Sequence, residues 1–142
     1  MPHRELSDVV DELLGKPFRL GARGPDAFDC FGLVGWLYRE VYGIEIPDPT
    51  HAGSVGRIHL LFDHGEIGTP SPGDIWHWRS DQRITKQHVA IYEGPRIVEA
   101  TTDGGIRRAW PESMSVHGQV KCYRLKPERR LPTPPSAGTE TS

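Results

Sequence analysis

Apolar side chains at Leu6, Val9, Val10, Leu13 and Leu14 recur at the three- and four-residue intervals of one helix face, and Gly15-Lys16-Pro17 supplies a stop. This spacing predicts an amphipathic helix. From Phe18 to Phe28 no period is sustained, and Gly21, Gly24 and Pro25 mark a loop feeding the next element. A helical face returns with Leu33, Val34, Leu37 and Val41. Asp29 is placed to cap that helix and Gly43 to end it in a left-handed turn. Cys30 therefore opens a buried helix. The stretch that follows, to about Gly73, is rich in Gly, Pro and His and carries only a short helical signal around Ile58 to Phe62.

After the Pro72-Gly73 turn the pattern changes to short β-branched or aromatic runs divided by turn residues, at 74–78, 88–92, 96–100, 106–108 and 119–125. These runs predict an antiparallel sheet. Helices first and strands afterwards give an α+β class, with N-terminal helices packed on one face of a central sheet. The chain of 142 residues fits one core, expected over residues 1–128. Residues 129–142 are rich in Pro, Ser and Thr, have almost nothing to bury, and are expected to form a flexible or partner-ordered tail.

Charge narrows the partners. Seventeen Lys and Arg against nineteen Asp and Glu leave a formal charge of −2, which offers no basic footprint for nucleic acid. No apolar run is long enough to insert in a membrane, and the start has no apolar segment of the kind that directs secretion, so synthesis in the cytoplasm is expected. The two cysteines, Cys30 and Cys122, lie far apart and in no C-x-x-C pair, which argues against a disulfide framework or a zinc knuckle.

A thiol in the first turn of a helix lies near backbone N–H groups that favour its thiolate, the form that attacks carbonyls. Cys30 has that position, although Asp29 beside it adds opposing charge, and a lone cysteine there also reads as a small packing residue. Among seven histidines, His88 stands apart because it begins the apolar run His88-Val89-Ala90-Ile91-Tyr92, at the rim of a strand where a helix N-terminus can meet it. An exposed strand-end histidine is the alternative. A tight hairpin at Glu93-Gly94 would pair residue 91 with 96 and 88 with 99, making Glu99 a cross-strand neighbour of His88. Pro95, which has no N–H to close such a hairpin, widens the turn in another reading, and Glu99 by itself also reads as one more solvated strand carboxylate.

The segment from Gly15 to Val34, with Asp29-Cys30-Phe31-Gly32-Leu33 at its heart, followed by Pro72-Gly73-Asp74 and His88-Val89-Ala90-Ile91-Tyr92, resembles the NlpC-type cell-wall cysteine peptidases. Within them it looks most like the compact peptidases borne on the tails of phages and gene transfer agents, where an aromatic residue follows the cysteine as Phe31 does. The resemblance implies a papain-like fold with Cys30 as nucleophile, His88 as base and Glu99 at the third polar position, where the family commonly has histidine or an amide. It implies hydrolysis of an amide in the peptidoglycan stem peptide, typically between D-glutamate and the diamino acid, with no cofactor and no metal.

Phe18, Asp29 and Phe31 fall at substrate-binding positions; Phe18 stands where many members carry a tyrosine whose hydroxyl helps the oxyanion site. The implied partners are peptidoglycan and the tip or hub proteins of a phage-like tail, which would carry the enzyme from the host cytoplasm to the wall. An alternative of another class is a tail-tip or assembly protein that keeps the fold without the activity, and Phe18 and Glu99 are the residues that favour it.

Overall fold

The computed structural model describes residues 4–49, 53–79, 87–115 and 120–129. The tail expected from 129 onward therefore falls, from residue 130, outside the described residues. In chain order the elements are α1 (Leu6–Leu13), α2 (Cys30–Leu37) continued by a wide turn (Tyr38–Tyr42), α3 (Ser54–Leu61), and β1 (Phe62–Glu66). There follow β2 (Ile75–Arg79), β3 (Gln87–Tyr92), β4 (Ile97–Thr101), β5 (Gly105–Ala109), α4 (Glu112–Ser115) and β6 (Val120–Leu125). The strands form one antiparallel sheet in the order β1-β6-β2-β3-β4-β5. No helix among the described residues is long and apolar enough to cross a membrane.

The alternating pattern of the strands sends successive side chains to opposite faces, and each face has its own apolar cluster. On one, Val9, Val10 and Leu13 of α1 and Leu33, Val34 and Leu37 of α2 pack with Ile75, Val89, Ile91, Val98 and Ile106 of the sheet. On the other, Trp76, Ala90, Ile97 and Cys122 gather with Met114 of α4. The expected single helical layer is thus accompanied by a small second cluster, anchored by one buried methionine that no run of apolar residues announces.

Two further differences have local causes. Strand β1 lies in the stretch where the sequence shows no strand, because only Phe62 of Phe-Asp-His-Gly-Glu is buried and no alternation is left to read. Its strand conformation comes from pairing with β6, Phe62 opposite Leu125 through Glu66 opposite Lys121. The hairpin between β3 and β4 pairs Ile91 with Val98 and Tyr92 with Ile97, two residues from the tight-turn register. Pro95 cannot donate the closing hydrogen bond of a two-residue turn, so the chain uses the longer turn 93–96, in which Arg96 O accepts from both Glu93 and Gly94 N–H.

Candidate active site

Helix α2 begins where Asp29 stops the preceding loop. Asp29 is extended (φ −96°, ψ −177°), and its Oδ1 accepts from Gly32 N–H at 2.8 Å, capping one of the first-turn donors that a helix leaves without an intrahelical acceptor. Its Oδ2 accepts from Gly21 N–H at 2.9 Å, and both oxygens take Arg23 Nη1 at 2.8 Å. Arg23 in turn donates to Asp48 through Nε at 3.1 Å. The helix start, the 18–28 loop and the segment after α2 are tied together by this cluster. Asp29, expected among substrate-binding residues, is 4% exposed with every oxygen engaged inside the protein, so the structure gives it a supporting position. Its charge, which on sequence alone opposes a thiolate at Cys30, is matched by the Arg23 guanidinium.

The close approach of loop and helix fixes one glycine. A Cβ on Gly32 would lie 2.3 Å from Ala22 O, so only glycine lets the loop lie against the first turn of α2. The N–H groups of Cys30 and Phe31 belong to that same turn and have no intrahelical acceptor, as helix geometry requires.

His88 stands on β3, opposite Trp78 of β2, with its side chain 15% exposed. Its Nε2 lies 2.8 Å from Glu99 Oε1, and Cys30 is near enough to the ring to bear on its protonation. With Nε2 facing the carboxylate, Nδ1 is the ring nitrogen left for the thiol. The two-residue shift in hairpin register is even, so His88 and Glu99 keep a common face and meet diagonally instead of directly across the strands. Glu99 is 4% exposed on its side chain, and its Oε2 accepts from Arg107 Nε at 3.0 Å.

These contacts set the protonation states. Burial by itself lowers the proton affinity of His88, but the hydrogen bonds to Cys30 and Glu99, reinforced by their charges, outweigh it and push the imidazole from 6.5 to about 9. Burial likewise favours the neutral form of Glu99, and His88 and Arg107 together overcome it, holding the carboxyl below its ordinary value. At neutral pH the arrangement favours a His88 imidazolium beside the Glu99 carboxylate. Cys122 shows the opposite environment: burial, with the Asp74 carboxylate nearby, pushes its thiol up to about 11, as suits a packing residue on β6.

Phe31 and Gly32 form one edge of a cleft of about 660 Å³, walled by Val34 of α2 and by Ile75, His77, Val89 and Tyr123 of the sheet. Neither Cys30 nor His88 lines it, so it adjoins Cys30 through Phe31. Phe18 is half-buried against the core and bridges to Phe28. It has no hydroxyl to offer an oxyanion. Sequence reasoning missed Arg23 and Arg107: an arginine in a glycine-rich loop and one in a short edge strand look like ordinary surface cations until their partners are placed.

The model of the NlpC/P60 family matches residues 15–124, a span that contains the whole Cys30, His88 and Glu99 arrangement. The chain belongs to the NlpC/P60 family. Among relatives in that family, it is 44% identical over 89 residues to a probable endopeptidase of Corynebacterium glutamicum, covering 63% of this chain and 38% of that protein. It is 33% identical over 82 residues to the murein DD-endopeptidase MepH of Escherichia coli, covering 57% of this chain and 29% of that protein. The chain thus matches well under two thirds of either relative's length.

Two solved NlpC/P60 structures carry the same fold. The NlpC/P60 domain of the peptidoglycan hydrolase SagA superposes with a TM-score of 0.61 at 18% identity, covering 84% of this chain and 95% of that one. A family protein from Bacillus cereus gives 0.63 at 20% identity, covering 84% and 38%. At such identities the likeness speaks for the fold alone, and it agrees with the α+β, NlpC-type architecture expected from the sequence.

Proposed function

We propose that this NlpC/P60 domain is a cysteine peptidase that hydrolyses amide bonds of the peptidoglycan stem peptide. The observation that carries the reading is the gathering of Cys30, His88 and Glu99 at the start of α2, with His88 Nε2 2.8 Å from Glu99 Oε1 and Cys30 acting on the same imidazole. The Cys30 thiolate attacks the amide carbonyl, and the first-turn N–H of Cys30 is placed to receive the developing oxyanion. His88, protonated in the resting site, gives its proton to the leaving amine. Neutral His88 then takes a proton from water, which attacks the thioester and frees the thiol. Glu99 holds the ring in orientation and balances its charge, as the third member of a triad does. A peptide lying across Cys30 extends past Phe31 into the adjoining cleft.

The finer parts of the reading are the bond and the vehicle. A D-glutamyl-diamino acid amide is the proposed scissile link, and the aromatic Phe31 after the cysteine is the feature that supports delivery on a phage-like or gene-transfer-agent tail. The alternative of a catalytically weak structural tail protein draws its support from Phe18, since loss of one oxyanion donor costs about 10²–10³ in rate where nothing replaces it. Digestion of isolated sacculi with purified protein, followed by mass spectrometry, tests the bond and the activity. The expected result is soluble stem peptides bearing a new amino terminus on the diamino acid. Products cut elsewhere would reject the proposed bond, and intact sacculi would favour the structural alternative.

A further inference from the structure

We infer that Arg107 is a positioning residue of the active site, holding the Glu99 carboxylate ionised and turned toward His88; this rests on the triad reading above. Arg107 and Glu99 are direct partners in the pairing of β4 with β5, so backbone register brings the guanidinium to the carboxylate. The two carboxylate oxygens are divided between the two cations: Oε2 accepts from Arg107 Nε at 3.0 Å while Oε1 faces His88 Nε2 at 2.8 Å. Rotation of the carboxylate breaks both contacts at once. The turn after β4 leaves room for the arginine, because Thr101 Oγ1 accepts from Gly104 N–H at 3.1 Å and a Cβ on Gly104 would touch Arg107 Cδ and Nη1 at 3.4 Å.

An ordinary surface ion pair contributes little, since both members are well hydrated. This pair differs in its asymmetry: the Glu99 side chain is 4% exposed and that of Arg107 48%, so a buried anion is matched by a cation that keeps much of its water. The consequence concerns the catalytic cycle. When His88 passes its proton to the leaving amine, a Glu99 without a second cation would be an isolated buried anion, competing for protons with the groups that need them. Arg107 keeps Glu99 an acceptor throughout. The charged or titratable groups facing Glu99 are His88 from β3 and Arg107 from β5, with Cys30 of α2 beyond the imidazole.

The test compares wild type with Arg107→Gln, which removes the charge, and Arg107→Lys, which keeps it. The readouts are kcat and KM on a soluble muropeptide across pH, and NMR titration of the His88 ring. Loss of the guanidinium charge raises the Glu99 pKa, so Glu99 protonates earlier as pH falls. In Arg107→Gln the acid limb of kcat/KM and the acid inflection of the His88 ring are expected to move up by about one pH unit. kcat is expected to fall about tenfold with KM little changed, as for an interaction made chiefly in the transition state. Arg107→Lys is expected to stay near wild type in both limbs. An unmoved acid limb in Arg107→Gln overturns the proposal while leaving the triad standing. A wild-type His88 that titrates near an ordinary 6.5, with no muropeptide cleaved, overturns the triad reading and the proposal with it.

Discussion

Replacing Cys30 by serine is expected to reduce muropeptide hydrolysis by about 10⁴–10⁶, with circular dichroism and melting temperature close to wild type. The fold should tolerate the change because the residue keeps its place at the first turn of α2 and its size is nearly preserved, while Asp29 continues to cap the helix through Gly32 N–H. Chemistry should not, because a serine hydroxyl is far harder to ionise than a thiol and this site has no stronger base than one imidazole. His88→Ala is expected to lose a comparable factor, since the thiol then has neither a proton acceptor nor a cation to favour the thiolate. Groups acting as one unit are not additive, so the double variant Cys30→Ser/His88→Ala should be little worse than either single one. Steady-state rates on a defined muropeptide measure all three; full additivity would mean that the two residues work independently.

The second large effect concerns stability. Asp29→Ala removes a helix cap, leaves Gly21 and Gly32 N–H without their side-chain acceptor, and deprives Arg23 of its bidentate partner. Breaking a buried pair on one side costs about 3–5 kcal/mol, but Arg23 is 36% exposed and can recover part of its hydration, so about 3 kcal/mol is expected. For a domain of this size that corresponds to a fall in Tm of about 6–12 °C. Asp29→Asn keeps one acceptor for the cap and should lose less than half as much. Thermal melts of the three proteins decide the matter. Equal losses in the two variants would assign the effect to charge alone, and no loss would remove Asp29 from its supporting role.

The fold was legible wherever side-chain periodicity reported burial. Leu6 to Leu13 and Leu33 to Leu37 show helix faces, and the run from His88 to Tyr92 shows a strand whose start lies at the edge of the core. Strand β1 was not legible, because an edge strand with one buried residue obeys pairing with β6 and not a hydrophobic pattern. The positions of Cys30 and His88 were legible because they are local: a helix start for Cys30 and a strand rim for His88.

Glu99 was reached through a hairpin register that Pro95 does not allow. The direct 88-with-99 pairing is therefore replaced by a register shifted by two residues, an even number that still lets His88 and Glu99 meet. Partners that depend on tertiary placement were out of reach. Arg23 and Arg107 each meet a buried carboxylate, Asp29 and Glu99, and an arginine codon gives no hint of which carboxylate its side chain will find.

The most direct test of the central claim, an activated Cys30 paired with His88, is the rate of iodoacetamide alkylation of Cys30 as a function of pH. With Cys30 beside a His88 imidazolium that persists to about 9, alkylation near neutral pH is expected to be faster in the wild type than in His88→Ala, which has no cation beside the sulfur. Above about 9 His88 loses its proton, and hydrolysis is expected to fall because no acid remains to protonate the leaving amine. An alkylation rate whose pH dependence is unchanged by His88→Ala would contradict the pairing.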